Sequence, residues 1–177
     1  MSGHNKWSKI KHKKAITDAK RSKIFSKIAR LLSLESKKVC GDINSPTLRA
    51  IIEKAKSVNM PNDNIDRAIK RGVGKDILQM STVVYEAYGP GGSALVINGL
   101  TDNNNRTSQE IKHILTKNGA TLAGQGSVVW NFDKKELEWL PKTTISLAKK
   151  DTIMLEKIID ELEENDDVQD VFVNVKI

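Results

Sequence analysis

The spacing of apolar residues changes period once, near Gln79, and that switch most constrains the fold. Before it, apolar side chains recur every three to four positions. After it, they alternate or gather in short β-branched runs. The first pattern buries one face of a helix and the second buries one face of a strand. The sequence therefore predicts an α+β chain, with a helical domain over residues 1–78 and an α+β domain over 79–177.

Residues 1–16 show no clean apolar period and read as an extended arm. The arm carries Lys6, Lys9, Lys11, Lys13 and Lys14. A helix is predicted over Thr17–Leu34, with Thr17 as cap and Asp18 at the positive end of the dipole. At about 100° per residue, Ile24, Phe25, Ile28, Ala29, Leu31 and Leu32 share one face. Lys20, Lys23, Lys27 and Arg30 form a ridge on the other face, while Arg21 falls inside the apolar arc, where its stem can snorkel. Ser45-Pro46 reads as a cap followed by a proline at the first helical position, and Leu48, Ile51, Ile52, Ala55 and Val58 follow at helical spacing. Met60-Pro61 interrupts this second helix, because a residue before proline avoids the helical region. A third helix is predicted over Asn64–Arg71, stopped by Gly72 in a left-handed conformation.

Thr82–Tyr88 reads as a strand, Gly89–Gly92 as a turn, and Ala94–Ile97 as the second arm of a hairpin. Thr101–Arg106 reads as a loop. Thr107 and Glu110 have capping-box spacing ahead of a helix that Gly119 ends. Gly126–Phe132 and Thr143–Leu147 are strand candidates, Asp151–Glu164 is a helix, and Val168–Val175 is a closing strand. From Ser93 onward this is strand, helix, strand, strand, helix, strand. That is a ferredoxin-like split βαβ order, preceded by one extra strand.

Charge is distributed as unevenly as period. The 177 residues carry a net +7, but residues 1–40 alone hold 12 Lys and Arg against two acids, a net of +10. Residues 141–177 are net −4. Such asymmetry points to a polyanionic partner, with nucleic acid first. The alternatives are a solubilising arm or a mitochondrial targeting segment. The latter is normally Arg-rich, and this stretch has only Arg21 and Arg30.

No constellation suggests catalysis, a cofactor or a small-molecule substrate. Cys40 is the single cysteine, so neither a disulfide framework nor a CxxC site exists. His4, His12 and His113 lack metal-ligand spacing. Gly72-Val73-Gly74-Lys75 resembles a phosphate loop but follows a helix, and Asp76 stands where Ser or Thr is required. Gly89–Gly92 can bind an anion through backbone N–H groups, yet a hairpin turn explains it as well. Asn105-Arg106-Thr107 matches a glycosylation sequon with no secreted context, and the acids from Glu161 to Asp167 read as a solvated helix end. Trp7 either stacks on a base or packs on the first helix. No apolar run approaches the ~18 residues of a membrane span, and no apolar segment follows the basic start as in a secretory signal. The expected setting is intracellular.

Several stretches together resemble the YebC/PmpR family. They include Gly3-His4-x-Lys6-Trp7, Ile10–Lys14 and Asp18-Ala19-Lys20-Arg21-x-Lys23-Ile24-Phe25. The long stretch Asn59-Met60-Pro61-x-Asp63-Asn64-Ile65-x-Arg67–Gly72 is the most specific. Tyr85-Glu86-x-Tyr88–Gly92, Thr101-Asp102-Asn103-x-Asn105-Arg106-Thr107, Gly126-Ser127-Val128, Pro141-x-Thr143-Thr144 and Asp166-Asp167-Val168-Gln169-x-Val171 continue the match in order. The resemblance implies a helical domain followed by two α+β domains. It implies a cytoplasmic, probable DNA-binding transcriptional regulator with no cofactor or catalytic residue. Other members resemble ribosome-associated translational activators. The chain departs from the family where only Asp133–Leu140 separates Phe132 from Pro141. The third domain is expected to be missing there, leaving an ordinary hairpin. The segment after Cys40 is also shorter and less glycine-rich than the family pattern.

The residues expected to contact phosphate are Lys6, Lys9, Lys11, Lys13, Lys14, Lys20, Lys23, Lys27 and Arg30, extended by Lys70 and Arg71 if the third helix packs alongside. Such contacts position a duplex without reading it, and no base-reading helix is evident. On a ribosome the same cations would meet rRNA, with the Met60-Pro61 loop or the Gly89–Gly92 turn reaching a functional centre. A purely structural role leaves the basic arm unexplained.

Overall fold

The structure is a computed structural model and describes residues 18–74 and 79–176. Two compact units emerge, one within Ile16–Met80 and the other holding Ser81–Ile177. The expected basic arm, including Trp7 and the Thr17 cap, lies outside the described residues.

The first unit holds α1 (Asp18–Lys38), α2 (Pro46–Ser57) and α3 (Asn62–Val73), with α1 packed on both of the others. Buried positions come from Ile28 and Leu32 of α1, Leu48, Ile51 and Ala55 of α2, and Ile65 and Ala68 of α3. Ser45 occupies the expected cap position, but its hydroxyl bonds the Thr47 hydroxyl at 3.0 Å rather than the backbone. Past α2, Asn59 turns left-handed at φ 60°. There the Met60 N–H reaches the Ala55 carbonyl at 3.0 Å, which ends the helix before Pro61.

Gly72 does not stop α3 as a left-handed residue. It lies inside the helix, buried where α3 meets α1. A Cβ there would sit 2.4 Å from the Ser33 carbonyl oxygen and 2.6 Å from the Ser36 Cβ. Glycine lets the two backbones touch. Beside it, the Ser33 and Ser36 hydroxyls donate to the carbonyls of Ala68 and Ile69, each at 2.8 Å.

The second unit is a four-stranded antiparallel sheet in the order β3-β1-β2-β6. Its strands are β1 (Ser81–Tyr88), β2 (Ala94–Thr101), β3 (Thr121–Ala123) and β6 (Val168–Val173). Helices α4 (Asn104–Lys117) and α5 (Lys149–Glu164) and a separate hairpin, β4 (Phe132–Lys135) with β5 (Glu138–Pro141), complete it. The split βαβ unit is β2-α4-β3. The extra strand β1 lies inside it, pairing with β2 and β3 on its two edges.

Period 2 sorts the sheet side chains. Leu95, Ile97, Val171 and Val173 pack with Ile111 and Leu115 of α4 and Leu155, Ile158, Ile159 and Leu162 of α5. Ala94, Val96 and Phe172 belong to a second cluster with Val128 and Phe132, flanked by Trp139. One face therefore carries the helices and the other the β4–β5 hairpin.

Three expected elements differ. Gly126–Phe132 is not a strand, because the buried Glu86 carboxylate accepts the N–H groups of Gly126, Val128 and Val129 at 2.6, 2.6 and 3.0 Å. Those donors are then spent, and Val129–Asn131 closes as a 3₁₀ turn. Thr143–Leu147 makes only an isolated bridge, Ile145 with Val175, while its Thr143 N–H is taken by the Asn131 side chain. Helix α4 begins at Asn104, where Asn103 accepts the Arg106 N–H at 3.1 Å, so Thr107 lies inside the helix rather than capping it.

Candidate nucleic-acid interface

Of the expected phosphate contacts, Lys20, Lys23, Lys27 and Arg30 lie within α1, with Lys20 exposed and the other three half-buried. Lys6, Lys9, Lys11, Lys13 and Lys14 lie outside the described residues. Lys70 and Arg71 are both exposed near the end of α3. Helix α3 packs on α1, as the extended patch requires, but on a different side from the lysine ridge. At about 100° per residue, the positions of α1 that face α3 lie roughly opposite Lys20, Lys23 and Lys27.

On the α3 side runs a groove of about 380 Å³. Helix α1 contributes Asp18, Arg21, Ser22, Phe25, Ser26 and Ala29. Helix α3 contributes Asn64, Arg67, Ala68 and Arg71, and Met60 precedes it. Met60 and Ala68 are buried, Phe25 and Ala29 half-buried, and the three arginines exposed. The groove thus has an apolar bed and a cationic rim of three guanidiniums against one carboxylate. Asp18 pairs with Arg21 at 3.8 Å. Among the described residues, no carboxylate lies within ion-pair distance of Arg67 or Arg71. Guanidinium groups stay charged at any physiological pH and present forked donors suited to phosphate.

Helical spacing alone does not display this groove: it puts Arg21 inside an apolar arc, where its stem can snorkel, and assigns Arg67 and Asn64 no role. The signal was present: Arg67 and Arg71 are one turn apart and so share a face, and Arg21 shares its arc with Phe25 and Ala29.

Elsewhere the motifs are structural. Asp167, buried, is approached by the hydroxyls of Thr101 and Thr107 at 3.1 and 2.7 Å and accepts from Arg106 at 2.8 Å. Arg106 also donates to Asp102 at 2.8 Å, and these carboxylates push its pKa further up. Burial, and then the Asp167 charge, raise the Tyr85 hydroxyl. The Asp102–Thr107 stretch is thereby tied to the start of β6. In the Gly89–Gly92 turn, the Gly89 N–H donates to the Ser93 carbonyl at 2.8 Å, and the Asp151 carboxylate stands close to Gly91. An acid at that distance opposes an anion. Among the described residues, no group of three or more His, Cys, Asp or Glu is placed to hold a metal ion. No described helix is long and apolar enough to cross a membrane.

Two family models match the chain. The TACO1/YebC protein N-terminal domain covers residues 5–75, and the TACO1/YebC second and third domain covers residues 80–137 and 133–175. A "Probable transcriptional regulatory protein" of Fervidobacterium nodosum is 38% identical over 238 aligned positions, covering 100% of this chain and 94% of the relative. One of Petrotoga mobilis is 46% identical over 170, covering 94% of this chain and 68% of its own. The crystal structure of a conserved hypothetical protein from Aquifex aeolicus superposes with a TM-score of 0.77 at 30% identity, covering 90% of this chain and 92% of that one.

Proposed function

The chain belongs to the TACO1/YebC family, and from that premise we propose that it is a non-enzymatic, cytoplasmic regulator of transcription that binds DNA through its helical unit. The observation that carries this reading is the placement of cations on two sides of α1, the Lys20–Lys23–Lys27 ridge and the Arg21–Arg67–Arg71 rim. Lys6, Lys9, Lys11, Lys13 and Lys14 precede the same helix and extend its charge. The regulatory role rests on relatives of Fervidobacterium and Petrotoga that carry that name. Phosphate neutralisation by such a surface gives affinity without base reading.

We also infer that the third domain of the family pattern is absent. Phe132 pairs directly with Pro141 across the β4–β5 hairpin. The 238-position alignment to a 177-residue chain supports a segment present only in the relative.

The test is anisotropy of a labelled duplex with the full chain and with Lys20→Glu, Lys23→Glu and Lys27→Glu combined. Loss of binding with an unchanged far-ultraviolet circular dichroism spectrum supports the assignment. Retained affinity removes it. Sedimentation in a DNase-treated lysate decides the polyanion: co-migration with ribosomes that the triple variant abolishes would replace DNA by rRNA.

A further inference from the structure

The geometry points to the α1–α3 groove as a pocket for one unpaired nucleotide, the base lying on Phe25 and Met60 and the flanking phosphates on Arg21, Arg67 and Arg71. This rests on the nucleic-acid reading above and makes it more specific.

The ridge and the groove have different chemistry. A ridge of cations along a helix suits the convex, evenly charged backbone of a duplex. The groove is concave, and its bed is apolar. Its volume of about 380 Å³ lies in the range of small-ligand pockets. Phosphate alone needs no apolar bed. A paired base cannot reach one, because its faces are stacked within the helix. An unpaired base offers a π-face for Phe25 and a hydrogen-bonding edge. The Asn64 side chain, whose amide both donates and accepts, stands at the same groove. Arg67 and Arg71 have no ion-pair partner among the described residues, so phosphate need not displace one. Asp18 adds a single opposing charge, already paired to Arg21.

The base's source is left to the experiment, since unpaired nucleotides occur in both DNA and RNA. The full chain is titrated against labelled duplexes of equal length and charge, one fully paired and one with a single bulged adenine, each made as DNA and as RNA. The bulge is expected to bind about 5- to 150-fold tighter, the range that stacking of one base on an aromatic ring supports. Phe25→Leu, which keeps an apolar side chain, and separately Asn64→Ala should each shrink that preference while leaving fully paired affinity within about twofold, whereas Arg71→Gln, which removes a phosphate contact, should weaken both strands and the bulged one more. Inorganic phosphate at millimolar concentration should not erase the preference. The better of the DNA and RNA bulges identifies the source. Equal affinity for paired and bulged strands, with both lost on reversing Lys20, Lys23 and Lys27, would overturn the pocket and keep the proposed function. A bulge preference untouched by all three groove variants would place the nucleotide elsewhere and also overturn it. No binding to any strand would remove both readings.

Discussion

Replacing Gly72 by alanine tests the packing that shapes the helical unit. The added methyl would meet the Ser33 carbonyl oxygen at 2.4 Å, whereas ordinary contact begins near 3.4 Å. A backbone atom cannot swing aside, so α1 and α3 must part by about 1 Å. Parting carries the Ser33 and Ser36 hydroxyl bonds, now 2.8 Å, beyond hydrogen-bond reach. Each such bond contributes about 1 kcal/mol. Forcing volume into a packed contact costs about 1–3 kcal/mol more. Alanine's better helix propensity returns about 1 kcal/mol. The expected net destabilisation is about 2–4 kcal/mol, which raises local opening about 30-fold or more. Hydrogen exchange read on peptides from Asp18–Lys38 and Asn62–Val73 measures it without assuming that the two units unfold together. Val73→Ala is the control, since Val73 is 54% exposed and its truncation should change exchange by less than about 0.5 kcal/mol. Unchanged or stronger protection in Gly72→Ala, the outcome of propensity alone, would refute the close approach.

Glu86→Ala strips the acceptor from three backbone donors of the Gly126–Val129 segment and should cost at least about 3 kcal/mol, with exchange rising first at those amides; a loss under about 1 kcal/mol would show that water replaces the carboxylate. Asp167→Asn should lower the melting temperature more than Arg106→Gln, because Asp167 is buried against Thr101 and Thr107 whereas the Arg106 side chain is 45% exposed and solvent screens its pairs; equal shifts would contradict this ranking. Glu161 is held below the usual carboxylate value by the Asn118 amide first and by Lys117 and Lys157. A lowered folded pKa stabilises above that value and is lost as pH falls through the folded one. Melting curves between about pH 6 and 3 should therefore flatten in Glu161→Gln, and an unchanged acid slope would argue against the role.

Much of this was legible because it is local. Periodicity located all three helices of the first unit, and Gly119, left-handed at φ 75°, ends α4 as read. What the sequence hid was set by partners distant in the chain. Gly72 looks like a helix stop until Ser33 and Ser36, more than thirty residues away, are seen against it. The Gly126–Phe132 run has strand composition, yet Glu86 on β1 captures its donors. The three residues of β3 are too few to show a period. The candidate interface divides the same way. The lysine ridge follows from helical spacing on a single helix. The arginine rim needs α1 and α3 brought together, which no one-dimensional pattern displays.

The central claim, that the cations of the helical unit hold a nucleic-acid backbone, is tested most directly by the salt dependence of duplex affinity. With about six phosphate contacts, log K should fall with log salt at a slope near −5, losing about a thousandfold between roughly 50 and 200 mM. Reversing Lys20, Lys23 and Lys27 should flatten that slope by about 3 as well as weaken binding. An affinity that barely changes with salt, or a slope unaltered in the variant, would contradict the account.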